Sequence, residues 1–127
     1  MAHRTLAFVA ALGLIAATAA APAQAADVEA GGKVFKKCKA CHTLDEGGKN
    51  KIGPNLFGII GKQAGTMEGF KYSKAFKTSD FTWSEEELGK YLTNPKKYLK
   101  GNKMAFPGLK KPEDIENVLA YIAENAS

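Results

Sequence analysis

Two cysteines three positions apart, followed at once by a histidine, constrain this chain more than any other feature. The run Cys38-Lys39-Ala40-Cys41-His42 holds both cysteines of the 127-residue sequence and one of its two histidines. Three side chains that bind metals or attack electrophiles thus leave the backbone within little more than one turn. Whatever they serve must lie against that turn, and the rest of the chain must be built round it.

Four chemistries use such a pair. A disulfide is the ordinary fate of cysteines in an exported chain. A dithiol redox site also uses C-x-x-C, but expects a strand-to-helix context. A structural zinc needs four ligands, and the other histidine, His3, stands near the N-terminus. The pattern C-x-x-C-H is the attachment motif of c-type haem. Each thiol can form a thioether to one vinyl group of a single porphyrin, and the next residue then lies under the ring with its imidazole toward the iron. A disulfide remains possible but leaves His42 unexplained. Five residues recur by chance, so the remainder of the chain decides.

The N-terminus reads as a leader. Arg4 supplies a positive start, residues 6–21 carry no charge and are mostly apolar, and Ala23-Gln24-Ala25 is an A-x-A cut site. That order marks a secretory signal peptide. The apolar run falls short of the roughly 20 residues a spanning helix needs, so we expect cleavage after Ala25 or Ala26 rather than a membrane anchor. The expected organisation is residues 1–25 as cleaved signal peptide and residues 26–127 as one domain, destined for the periplasm. No other segment is apolar enough to cross a bilayer. A chain of about one hundred residues buries only a modest core, and a large internal cofactor would enlarge it.

Losing Arg4 takes the 18 basic residues to 17, all lysine, against 13 acids, a net charge of +4. Lysine is a hydrated point charge without the forked geometry that reads bases or clamps phosphate. The charge therefore points to acidic protein partners and not to nucleic acid.

Residues 27–38 read as a first helix capped by Asp27, with Val28, Gly31 and Phe35 on one face. A glycine inside a helix costs about 1 kcal/mol relative to alanine, which a close backbone approach would justify. Residues 43–72 are rich in Gly and Asn, and a loop that long in a small domain is expected to wrap something. Residues 73–78 have room for a helical turn or two. Ser84-Glu85-Glu86-Glu87 is a capping box, opening a helix with Leu88, Tyr91 and Leu92 on one face. Asn94-Pro95 starts another short helix. After a second irregular stretch, 100–111, Pro112-Glu113-Asp114 begins a last helix with acids in its first turn and Ile115, Val118, Leu119 and Ile122 on one face. No alternating run supports a sheet, so the class is all-α.

If His42 takes one axial position of an iron, no second histidine is left in the mature chain for the other, and the candidates are Met67, Met104, a lysine, water or nothing. Met67 lies in a small polar turn with little to bury it and reads as ordinary filler. Met104 lies in Asn102-Lys103-Met104-Ala105-Phe106-Pro107-Gly108, where Phe106 can cover a ring and Pro107-Gly108 fix the loop. Met104 is the expected sixth ligand. A thioether there raises the potential and fills the open position that oxygen or peroxide chemistry requires.

At this point residues 31–121 resemble a class I cytochrome c, close to the mitochondrial proteins and to the short bacterial cytochrome c2 type. The resemblance rests on residues 38–42 with Gly53-Pro54-Asn55-Leu56, Gly69-Phe70-Lys71-Tyr72, Thr82-Trp83, Tyr91, Asn94-Pro95-Lys96-Lys97-Tyr98, Lys103-Met104 and Phe106. It implies an all-α fold with crossing N- and C-terminal helices and loops wrapped around one covalent haem c. It further implies that the Pro54 carbonyl receives the His42 ring N–H, that Tyr72 and Trp83 donate to a buried propionate, and that Tyr91 lies near the Met104 sulfur. Gly31, Phe35 and Tyr121 would form the helix crossing. The chain departs from the family at Lys62, commonly arginine, at Asn102, commonly threonine, and at Phe76, commonly asparagine. Asn102 and Phe76 are expected near the haem's water and propionate network. One residue fewer separates Phe35 from Cys38 than in mitochondrial forms.

The function implied is a monomeric, diffusible one-electron carrier and not an enzyme. By resemblance its donor is a cytochrome bc complex, and its acceptor a terminal oxidase or photosynthetic reaction centre. Lys36, Lys37, Lys39, Lys51, Lys96, Lys97, Lys103, Lys110 and Lys111 are the candidates for a basic docking face. The rival is a haem peroxidase or gas-binding protein, which would need an open iron position and a distal acid-base group.

Overall fold

The computed structural model describes residues 25–127 together with Gly13, Ala17 and Thr18. The expected leader, residues 1–25, therefore lies almost wholly outside the described residues. Five helices follow in order: α1 Val28–Phe35, α2 Lys74–Lys77, α3 Glu85–Thr93, α4 Pro95–Tyr98 and α5 Pro112–Asn125. Among the described residues none is long and apolar enough to cross a membrane.

The frame is a crossing of α1 and α5, with α3 packed on both α5 and α4. The crossing is possible because Gly31 has no side chain. A Cβ there would collide with the Asn117 carbonyl and come within 2.9 Å of Tyr121 Cβ. Phe35 and Tyr121 pack beside the contact as a tilted pair, with ring centroids 5.4 Å apart. Asn117 also ties the chain entry down, since its Oδ1 accepts the Asp27 N–H at 2.7 Å. Val118 is fully buried, with Ile122, Leu88 and Phe35 in the same core.

Helix starts are fixed locally. Asp27 caps α1 through Ala30 N, Ser73 caps α2 through Phe76 N, and Asn94 caps α4 through Lys97 N. Each satisfies a backbone donor that the first turn leaves free. The helix expected over 27–38 ends at Phe35; beyond it the chain continues in hydrogen-bonded turns. At Ser84 only half of the capping box forms. Ser84 Oγ accepts the Glu87 N–H at 3.0 Å, while the Glu87 carboxylate turns outward to the Tyr98 hydroxyl and to Lys90. That phenol comes from α4, so the competition for Glu87 is tertiary and invisible to a local motif.

Strand structure among the described residues is one isolated antiparallel bridge, Gln63 to Thr82. With Trp83 N–H on the Lys62 carbonyl and Ala64 N–H on the Phe81 carbonyl, it pins the end of the long loop beside the buried Trp83. Tyr72, Phe76, Trp83, Tyr91, Tyr98 and Phe81 then form a continuous aromatic wall, with neighbouring ring centroids 4.8–6.3 Å apart. Phe76 thus stands within the wall, against Tyr72, Trp83 and Tyr91.

Candidate functional site

The attachment motif sits on the turns that follow α1. Cys38 N–H and Lys39 N–H both reach the Phe35 carbonyl, and Cys41 N–H and His42 N–H both reach the Cys38 carbonyl. Both cysteines are half-buried and free, so no disulfide joins them. Burial and the nearby Cys41 push the Cys38 thiol up to about 11, outweighing Lys37. Dithiol exchange depends on a lowered thiol pKa, so this environment speaks against the redox-dithiol reading. Among the described residues no three of His, Cys, Asp and Glu gather to hold a metal, which disfavours zinc.

Segment 51–54 clasps the motif. Lys51 Nζ donates to the Lys39 carbonyl at 2.9 Å, Gly53 N–H to the Cys41 carbonyl at 2.8 Å, and His42 Nδ1–H to the Pro54 carbonyl at 2.7 Å. Gly53 is required there, because a Cβ would run into the His42 ring. The Pro54 bond fixes the tautomer, leaving the Nε2 lone pair free for a metal and making it more basic. Burial holds His42 below the ordinary imidazole value, opposed by the Pro54 bond and reinforced by the charge of Lys51. The imidazole is therefore neutral at physiological pH, the form that ligates.

Behind this segment the loop is organised by asparagines that the sequence did not single out for the purpose. Asn50 accepts from Asn55 N–H and donates to the Glu68 carbonyl at 2.9 Å. Buried Asn55 donates to Thr43 Oγ1 and the Asp45 carbonyl and accepts from Phe57 N–H. The density of Asn and Gly in residues 43–72 was the visible signal; the pairing partners were not.

Met104 approaches from the second irregular stretch. It is half-buried, with its sulfur 3.7 Å from the Tyr91 hydroxyl. Met104, Phe106, Leu56, Ile60, Leu44 and Cys38 are all partly buried apolar groups packed against the core. Tyr91 is buried, which pushes its phenol well above the ordinary value, so it stays a neutral donor. Asn102 is buried and makes four hydrogen bonds to protein: Nδ2 to the Pro95 and Leu99 carbonyls, Oδ1 from Met104 N–H and Tyr91 O–H. Tyr72 accepts the Met67 N–H at 3.0 Å, which leaves its own O–H free to donate. Trp83 is buried at 4% exposure, and Phe106 is half-buried. Lys62 is half-buried, with its backbone in the ladder beside Trp83.

Two free thiols, a neutral imidazole with Nε2 available and a thioether under a phenol suit a covalently held haem, and no zinc or dithiol reading uses all four. The cytochrome c family model matches residues 28–126. This chain belongs to the cytochrome c family. It is 48% identical over 106 residues to a cytochrome c of Nigella damascena, covering 83% of this chain and 96% of that one. A cytochrome c-550 of Nitrobacter winogradskyi is 47% identical over 98 residues, covering 77% and 90%. Among solved structures, cytochrome cH from Methylobacterium extorquens superposes with a TM-score of 0.72 at 40% identity, covering 77% of this chain and 98% of that one. The class I cytochrome c fold expected from the sequence is thus the fold observed, and the chain is a haem c electron carrier with one covalent, iron-containing haem. Cytochrome c homologues are electron carriers and generally not enzymes, which fits a non-enzyme.

Proposed function

We propose that this protein is an exported, periplasmic, monomeric shuttle that takes single electrons from a cytochrome bc complex to a terminal oxidase or a photosynthetic reaction centre. In this reading residues 1–25 are removed as a signal peptide and residues 26–127 act alone. Cys38 and Cys41 would hold the haem, and His42 and Met104 would ligate its iron. The observation that carries the electron-carrier reading is that protein groups fix both candidate ligands: the Pro54 carbonyl orients His42 at 2.7 Å, and the Tyr91 hydroxyl lies 3.7 Å from the Met104 sulfur.

Bound there, haem iron supplies reversible one-electron chemistry. The rest is the work of side chains. The clasp at 51–54 keeps His42 from rotating, and the Met104 sulfur, once bound, would deny the iron to oxygen or peroxide. Tyr72 and Trp83 offer their O–H and N–H to a propionate, while the aromatic wall and Phe106 exclude water. A site whose ligands stay in place in both oxidation states needs little reorganisation. All nine candidate docking lysines are exposed, and among the described residues the ion pairs engage only Lys33 and Lys90. Their charge is left free to steer an acidic partner into a small, transient contact.

The test is expression with a periplasmic haem-ligation system followed by intact mass. The expected mass is the polypeptide from Ala26 or Asp27 plus one haem. A colourless product, or a haem-bearing product that retains residues 1–25, contradicts the attachment or the export part respectively.

A further inference from the structure

We propose that Asn102 is the positioning residue for the Met104 sulfur, acting through the Met104 backbone and the Tyr91 phenol. The inference rests on the reading of Met104 as axial ligand and says what keeps that ligand in place.

A primary amide offers two N–H donors and two acceptor lone pairs, and at Asn102 protein groups take three and the Tyr91 hydroxyl lies within reach of the fourth. Nδ2 donates to the Pro95 and Leu99 carbonyls, each at 2.8 Å, the first residue of α4 and the residue just after it. Oδ1 accepts Met104 N–H at 2.9 Å, two residues along, which is an Asx-turn. It also accepts the Tyr91 hydroxyl at 3.4 Å. Asn102 itself is 5% exposed, so these protein groups are its immediate surroundings.

The same amide therefore joins α4, α3 and the ligand loop. Tyr91 has one O–H and two acceptors in reach, Asn102 Oδ1 at 3.4 Å and Met104 Sδ at 3.7 Å. Asn102 thus sets the height of the phenol over the sulfur as well as the backbone that carries it. Elsewhere that loop is tied by Asn102 N–H to the Leu99 carbonyl and by Leu109 N–H to the Leu92 carbonyl, so Met104 hangs between two anchors, and the nearer one is Asn102.

An exogenous ligand binds the ferric iron only in molecules whose sulfur has left, so its apparent affinity scales with that fraction. Imidazole is the probe, titrated against the ferric holoprotein at fixed neutral pH. N102A removes the side-chain anchors and should raise the imidazole association constant about tenfold, the size expected from one net hydrogen bond. It should also weaken the long-wavelength ferric band of sulfur ligation. N102S can remake the turn to Met104 N–H but cannot reach α4, and should rise about threefold with most of the band restored. N117A, which removes another buried asparagine's hydrogen bond, to the Asp27 N–H at the helix crossing, should stay within about twofold of wild type.

The proposal is overturned if N102A keeps the wild-type band and affinity, or if N117A loosens the iron site as much as N102A does. Should N102A fail to mature, N102S decides, and an affinity within the error of wild type contradicts the proposal. A wild-type protein without the band would instead sink the Met104 reading on which the inference stands.

Discussion

Gly31 and Asn102 show how differently single residues can be legible. A glycine in the middle of an amphipathic helix pattern has a local cost, so the sequence itself says that something must come close. The structure supplies the Asn117 carbonyl and Tyr121 Cβ. G31A should therefore destabilise the holoprotein by about 3 kcal/mol, as overpacking against a backbone group does, and a denaturant titration would read it as a lower midpoint at unchanged slope. Asn102 gave no such signal. Its four partners lie at positions 91, 95, 99 and 104, and only the folded chain brings them to one amide. The resemblance places it beside the haem's polar network, and the structure adds these protein partners, which the resemblance did not name. His42 lies between these cases. The motif announced its role, but the orienting carbonyl of Pro54 came only through resemblance and now stands at 2.7 Å.

Helices were readable where their caps were local. Asp27, Ser73, Ser84 and Asn94 each accept the backbone N–H expected of a cap. What the sequence could not show is how α3 is joined to α4 by Glu87, because the joining group is a phenol eleven residues on. The Tyr98 hydroxyl and then Lys90 hold the Glu87 carboxyl below the ordinary carboxylate value. A carboxyl depressed in the folded state adds stability above its unfolded pKa, and that contribution is lost as pH falls through the folded one. E87Q should accordingly be less stable than wild type near neutrality, with the difference vanishing toward acid. Paired thermal melts across that range would check it; a difference that stays constant with pH would mean the contact is not ionic. The turns of 36–42 and the long loops were legible as irregular chain but not as a scaffold. Their order comes from buried asparagines whose partners are tertiary.

For the molecule as a whole, a fold with so few helices needs something inside its loops, and the attachment motif names what that is. Its surface is the other whole-molecule property. Nine exposed lysines carry no ion pair among the described residues, so association with an acidic redox partner should be fast and strongly salt-dependent. The second-order rate of reduction by a cytochrome bc complex should fall at least tenfold between low and physiological ionic strength. Charge reversal at Lys96 and Lys97 should flatten that slope without altering the absorption spectrum. A rate indifferent to salt would remove the steering role. The central claim, however, concerns the iron's two axial partners, and one spectrum addresses it. The purified ferric holoprotein should be low-spin with a weak long-wavelength band, and M104A should keep its covalent haem yet lose that band. A high-spin wild-type spectrum, or a band that survives in M104A, would contradict the account.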